Sequence, residues 1–298
     1  MSTALAEDRV QLNFKDWYAQ TRTRADRPEL TPEEAKRPFA KYYYEKIPVP
    51  DRAHLAMMDE PCDPAKAIGP ERMNDLLNPG DLAVEIGWCN LPNGAGFIAN
   101  RMIYPEITAE MVDWWFAWHP LEDLRYRIWY PPQHGGLMLS PEGRKRILDP
   151  SIPNREKNWG VVHHVTENCN CGMENIDIHF LSPKDFGFDM ARWKEPYVST
   201  FAGGFGWAVA VNKTDESITA PALMCHIFRQ HPKGLEHRTR FWMGYRMSNG
   251  KPELTLPPGV KVPVEAVQGL ARHNVCEFTR WGQFLPRIYK ELGHSMVC

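Results

Sequence analysis

Apolar positions recur every third or fourth residue through the C-terminal stretch LARHNVCEFTRWGQFLPRIYKEL and the residues just before it. The row Ala266, Leu270, His273, Glu277, Trp281, Phe284 and Ile288 falls on one face of a predicted long helix. Two ionisable side chains stand in the middle of that stripe. A carboxylate among Leu, Trp and Phe is costly to bury unless it is paired, neutral or bound to a metal. Residues four apart on a helix are natural partners, so His273 and Glu277 read either as a self-satisfied pair or as half of a metal site. The choice turns on whether further ligands converge on them.

Upstream, the pattern is mostly that of strands. NWGVVHHVTEN, NIDIHFLSP, GWAVAVNK, PALMCHIFRQ and RTRFWMGYRM are separated by turn residues. DLAVEIGW and GFIANRMIYP flank the turn-rich NLPNGA and predict a hairpin. Consecutive strands followed by one long helix predict an α+β fold in which an antiparallel sheet curls around that helix. TAEMVDWWFAWH predicts a helix capped by Thr108, its surface crowded by Trp114, Trp115 and Trp118. The first part of the chain differs: RADRPELTPEEAKRPFAK is charged and proline-rich, with Thr31 as N-cap, Pro32 at the first helical position and Glu34 closing a capping box. IGPERMNDLL opens another helix at Pro70. The chain divides on this reading into a small, mainly helical segment, residues 1–80, and a larger body, residues 81–298.

Composition narrows the function classes. The 298 residues are 43% hydrophobic, enough for a real core, and 11 Trp and 10 Tyr suit an aromatic-lined cavity or simply an aromatic core. A net charge of −2 argues against nucleic acid as the main partner. The start MSTALAEDRVQLNF lacks the basic segment and apolar run of a signal peptide, and no later stretch approaches a membrane span, so a cytoplasmic protein is expected. Seven cysteines, an odd number, read as reduced thiols. Cys169 and Cys171 in ENCNCGMEN lack the second close pair that a four-thiolate site needs. FAGGFGW lacks the spacing of a phosphate loop.

Two residues are candidates for the other half of the site. His134, in DLRYRIWYPPQHGG, is pinned by prolines before it and freed by glycines after it, a setting for a positioned ligand as well as for an ordinary loop histidine. Glu167, in VVHHVTEN, is a ligand candidate or an exposed strand-end carboxylate. His119, before a proline at a helix end, reads as a C-terminal cap. His163 and His164 point to opposite faces of one strand, so at most one looks inward. These three stand outside the expected ligand set.

The pieces WWFAWHPLEDLRYRIWYPPQH, HRTRFWMGY and ARHNVCEF, in that order, resemble the diacetylphloroglucinol hydrolase and phloretin hydrolase family over roughly residues 80 to 290. The resemblance implies a zinc-dependent hydrolase that cleaves the carbon–carbon bond between an acyl group and a polyhydroxylated aromatic ring, of acylphloroglucinol or dihydrochalcone type, releasing a carboxylic acid. It implies a helix-grip, Bet v 1-like catalytic domain over residues 81–298 and a smaller N-terminal domain that supports a homodimer. It implies Zn2+ held by His134, His273, Glu277 and a strand glutamate, either Glu167 or Glu174. Tyr126, eight residues before His134, is implied as a catalytic and substrate-contacting residue, and His226 as a catalytic histidine. The family's second substrate-contacting tyrosine falls near Phe241, where no phenol exists, or is replaced by Tyr245. The expected partner is a small aromatic ketone, with no nucleic acid and no membrane. Two other classes compete: a mononuclear iron oxygenase, since iron takes two histidines and a carboxylate, and a carrier of hydrophobic ligands, which predicts no metal.

Overall fold

The computed structural model describes residues 17, 20, 21 and 24, residues 27–208 and residues 221–296. Three short helices come first, α1 (Pro32–Ala35), α2 (Lys41–Tyr44) and α3 (Arg52–Ala56). Both bonds of the expected capping box form in α1, between the Thr31 side chain and the Glu34 backbone and the reverse. Pro70–Leu77 winds as a 3₁₀ helix rather than an α-helix. The expected hairpin follows as β1 (Gly87–Asn90) and β2 (Gly96–Tyr104). Next come α4 (Ala109–Trp118), capped by the Thr108 side chain, and α5 (Asp123–Arg127). Then follow β3 (His134–Leu139), α6 (Pro141–Leu148), β4 (Val162–Asn168), β5 (Met173–Phe180), β6 (Thr200–Ala208), β7 (Ala222–His231) and β8 (Gly234–Met243). A small hairpin, β9 (Tyr245–Ser248) with β10 (Lys251–Leu254), precedes the long helix α7 (Val264–Leu292).

Eight strands form one antiparallel sheet in the order β1-β2-β8-β7-β6-β5-β4-β3. The sheet curls so that both ends reach α7. Val267, Ala271 and Val275 of α7 pack with Trp88 of β1, Ile98 of β2 and Phe241 of β8. His134, which opens β3 at the other edge, approaches Glu277 on the same helix. Farther along, Phe278, Trp281, Phe284 and Ile288 share a core with the tryptophans of α4, where Trp115 meets Phe284 edge-on at 5.1 Å. Phe39, in the turn before α2, and Tyr42 and Tyr43 of α2 join this core. Met73, Leu76 and Leu77 of the 3₁₀ helix join a second core on the outer side of the sheet with Leu223 and Trp242. Among the described residues, no helix is long and apolar enough to cross a membrane.

Several elements depart from the sequence reading. Of DLAVEIGW only the last two residues enter β1, because Glu85 turns under the sheet to pair with Arg238 and Arg240 at 2.5 and 2.6 Å. The two arginines, opposing the effect of burial, hold that carboxylate down to about 2. His134 does not sit in a loop but begins an edge strand. Asp123 secures that strand by accepting from the Leu137 N–H at 3.0 Å. Gly136 is needed there, since a Cβ would come within 2.4 Å of the same aspartate. The glycines of FAGGFGW lie inside β6, which starts at Thr200 rather than at Gly206, the first residue of the expected strand GWAVAVNK. A Cβ at Gly204 would lie 1.9 Å from the His179 carbonyl oxygen of β5, so close strand approach demands glycine. The end of GWAVAVNK lies outside the described residues.

Candidate metal centre and cavity

The curl of the sheet around α7 leaves a cavity of about 170 Å³, lined chiefly by aromatic and aliphatic side chains. Its polar groups are few. His134, His273 and Glu277 offer ligand atoms that all lie within 4.8 Å of one another, and Glu167, Cys169 and His273 form a second such group. His273 belongs to both, so His134 and Glu277 on one side and Glu167 and Cys169 on the other each bring a ligand atom close to it.

Each imidazole is fixed by a partner on its far side. The Tyr126 carbonyl accepts from His134 Nδ1–H at 3.2 Å, and the Gln133 side-chain oxygen accepts from His273 Nδ1–H at 2.8 Å. The proton is therefore on Nδ1 in both rings, and both Nε2 atoms carry lone pairs. These atoms lie 3.5 and 3.7 Å from the same Glu277 oxygen. His134 Nε2 is buried without a hydrogen-bond partner. Such an arrangement, with each histidine donating its second nitrogen outward, is how metal-ligating imidazoles are held. Gln133 was not foreseen; nothing in its neighbourhood but the adjoining His134 marks it.

Glu277 is held from behind. Its other oxygen accepts from Asn274 at 3.2 Å, Asn274 accepts from Asn100 of β2 at 2.8 Å, and Asn100 accepts from His54 Nε2 of α3 at 2.7 Å. A row of side chains thus runs from the N-terminal helices to the site. On the opposite side Tyr126 donates to Glu167 Oε2, and Cys169 Sγ donates to Oε1 at 3.2 Å. Tyr126 also stacks on His134, with centroids 4.1 Å apart and planes 5° from parallel.

Burial governs the charges. It pushes His134 down to about 4 and lowers His273, so both rings are neutral at pH 7. Glu277 is pushed up to about 8, burial outweighing the attraction of His273. Burial acts on Glu167 in the same sense, but His273, His134 and the bonds from Tyr126 and Cys169 hold it below the usual carboxylate range. Glu277, which burial keeps protonated in the absence of a cation, two neutral imidazoles aimed at it and an orphaned ring nitrogen are a donor set that a divalent cation satisfies by displacing the carboxyl proton. Nitrogen and carboxylate ligands suit zinc.

Glu174 is the direct cross-strand partner of Glu167 and shares its face, but it is exposed near the cavity mouth and stands outside both groups. His226 of β7 is buried, lines the cavity and is pushed down to about 3 by burial. Phe241 lines the cavity as well. Tyr245 does not reach it: its hydroxyl accepts from Asn93 at 2.7 Å and its ring joins the outer core. The reason is Gly244, at φ 94°, where the chain leaves the main sheet and the inward-outward alternation of β8 ends. His119 is the expected helix cap, with Nδ1 2.8 Å from the Trp115 carbonyl, yet it also lines the cavity. His163 points inward and lines it too, while His164 turns outward to Asp177. The six described cysteines, Cys62, Cys89, Cys169, Cys171, Cys225 and Cys276, are free.

Residues 68–290 match the family described as the DAPG hydrolase PhiG domain. The phloretin hydrolase of Eubacterium ramulus is 34% identical over 263 residues, 87% of this chain and 92% of its own. The 2,4-diacetylphloroglucinol hydrolase of Pseudomonas protegens is 26% identical over 274 residues, 86% of this chain and 85% of that one. The crystal structure of Ara h 8.0201 overlays 64% of this chain and 98% of its own at a TM-score of 0.38 and 10% identity, a likeness too distant to carry an argument.

Proposed function

The chain belongs to the DAPG hydrolase family, and on that premise we propose that it is a zinc-dependent hydrolase that cuts the bond between an acyl carbon and a polyhydroxylated aromatic ring, of acylphloroglucinol or dihydrochalcone type. As a member it is an enzyme, a hydrolase acting on carbon–carbon bonds. The observation that carries the zinc reading is the pair of buried Nε2 lone pairs of His134 and His273, 3.5 and 3.7 Å from one oxygen of Glu277. Those three residues and Glu167 would hold the ion. Once bound, zinc supplies a Lewis acid that activates water or polarises a substrate oxygen.

The remaining requirements fall on the substrate and on this chain's own side chains. A carbon–carbon bond to an aromatic ring breaks only if the ring is a tolerable leaving group. Hydroxyls ortho or para to the acyl carbon meet that need, because the keto tautomer lets the ring depart as an enolate. One water adds its oxygen to the acyl carbon, and its hydrogens end on the acid and the ring. Tyr126 orients Glu167 through its hydroxyl and covers His134 with its ring. His226, neutral and buried, lines the cavity with its ring against Phe241 and Phe278, centroids 5.7 and 4.9 Å away. Such walls exclude water and stack on a planar substrate. The reading includes a helix-grip body over residues 81–298, a small N-terminal domain over residues 1–80 and a cytoplasmic homodimer, which light scattering on the full chain tests as a mass of two chains.

Metal analysis of protein purified without chelator tests the central reading. We expect about one zinc per chain. Iron in its place points to oxygen chemistry, and no metal at all points to a carrier; either result removes the proposal.

A further inference from the structure

Two cavity histidines outside the ligand set are locked in opposite hydrogen-bonding states. The ring of His119 lies 2% exposed at the end of α4, stacked on Trp115 at 5.3 Å and 20°. Its Nδ1 is 2.8 Å from the Trp115 carbonyl oxygen, which can only accept, so Nδ1 carries the proton. Burial pushes this ring down to about 3, so it is neutral and Nε2 carries a lone pair. His119 is thus an acceptor toward the cavity it lines.

His226 is the reverse case. Its Nδ1 lies 3.0 Å from His237 Nε2 and 3.2 Å from the Thr239 hydroxyl, which stands directly opposite on β8. His237 is 1% exposed, stacked on Phe228 at 4.3 Å, and its Nδ1 has no partner. Placing a proton on that nitrogen would orphan a buried N–H, which is rarer and costlier than an unused lone pair. The proton therefore sits on His237 Nε2, which is 3.0 Å from both His226 Nδ1 and the Thr239 hydroxyl; a proton on His226 Nδ1 would meet it head-on, so that atom accepts, from His237 or from Thr239. His226 must then carry its own proton on Nε2, as a donor.

We propose that His119 is a substrate-recognition residue of this cavity, a fixed acceptor for a phenolic hydroxyl, matched by His226 as a fixed donor to a substrate oxygen, with His237 as the positioning residue behind it. The inference rests on the acylphenol reading and specifies it: these two histidines offer one donor and one acceptor to a ring that itself offers both. A neutral histidine that only donates is a known way to polarise a carbonyl without proton transfer.

The test reads protons, not turnover, so its failure is separate from failure of the proposed reaction. Long-range nitrogen–proton correlation spectra of histidine-labelled full-length enzyme, assigned with His119→Gln and His226→Gln, should show His119 protonated at Nδ1 and His226 at Nε2. The other tautomer at His119 overturns the proposal. Calorimetric binding gives a second readout with phloroglucinol and its isostere mesitylene, which has no hydroxyl. His119→Phe should weaken phloroglucinol by roughly threefold to tenfold, the loss of one hydrogen bond, and leave mesitylene within about twofold. Equal effects on both ligands, or none on phloroglucinol, overturn it. If that variant fails to fold, the wild-type spectra decide.

Discussion

Tyr126→Phe separates holding the metal from filling the cavity. Phenylalanine keeps the stacking on His134 at 4.1 Å and the edge contact with Trp129 at 6.3 Å. It removes only the hydroxyl that donates to Glu167 Oε2. Glu167 then keeps the weak Cys169 thiol at 3.2 Å as its donor. A hydrogen bond to a charged group contributes about 1.5–3 kcal/mol, and about 1.4 kcal/mol is a factor of ten, so zinc affinity should fall roughly 10- to 150-fold. That range agrees with the effect of removing an outer-shell partner from a metal ligand. Competition between the purified enzyme and a chromogenic chelator measures it directly. Zinc affinity within about twofold of wild type, with the variant folded, would refute the claim that Tyr126 orients a ligand carboxylate.

Two further predictions follow from single residues. His226→Ala should leave zinc content unchanged, because His226 lies outside both ligand groups, and should reduce turnover by roughly 10² to 10³, the loss of one positioned donor; atomic absorption and a product assay on the same preparation check both. Asp113 is buried on α4, accepts from Thr200, and is pushed up to about 6 by burial. Its folded value is above the unfolded one, so its contribution to stability is complete below pH ~4 and is lost as pH rises through 6, a cost of about 3 kcal/mol at most above that. Asp113→Asn should therefore melt several degrees higher than wild type at pH 8 and show little difference at pH 4; a constant difference across that range contradicts the assignment.

The helix α7 was legible because its apolar period is long and regular, and His273 and Glu277 stood out because they interrupt it. His134 was legible through its proline and glycine neighbours, although these mark a pinned backbone and not whether it is loop or strand. Pairing with β4, which sets His134 opposite Glu167, makes it a strand, and Asp123 holds the Leu137 N–H of that strand. Strand β6 was half hidden because Gly203 and Gly204 meet a demand of close approach that leaves no apolar alternation to read. Tyr245 was named only because the resemblance asks for a phenol near Phe241; the backbone turns at Gly244, and its ring joins the outer core. His119 was read correctly as a cap, yet its second role depends on α4 being folded over the cavity. Gln133, Asn274 and Asn100 hold the site through bonds spanning up to 174 residues, which no local pattern encodes.

The most direct measurement uses zinc-loaded enzyme, an acylphloroglucinol and water enriched in oxygen-18, with oxygen gas excluded. The account predicts release of the carboxylic acid and the deacylated ring in equal amounts. The acid should carry one oxygen from the labelled water beyond any exchanged into unreacted ketone, and metal-free enzyme should release neither product. Release that requires oxygen gas, or no release from any ring bearing ortho and para hydroxyls, would contradict it.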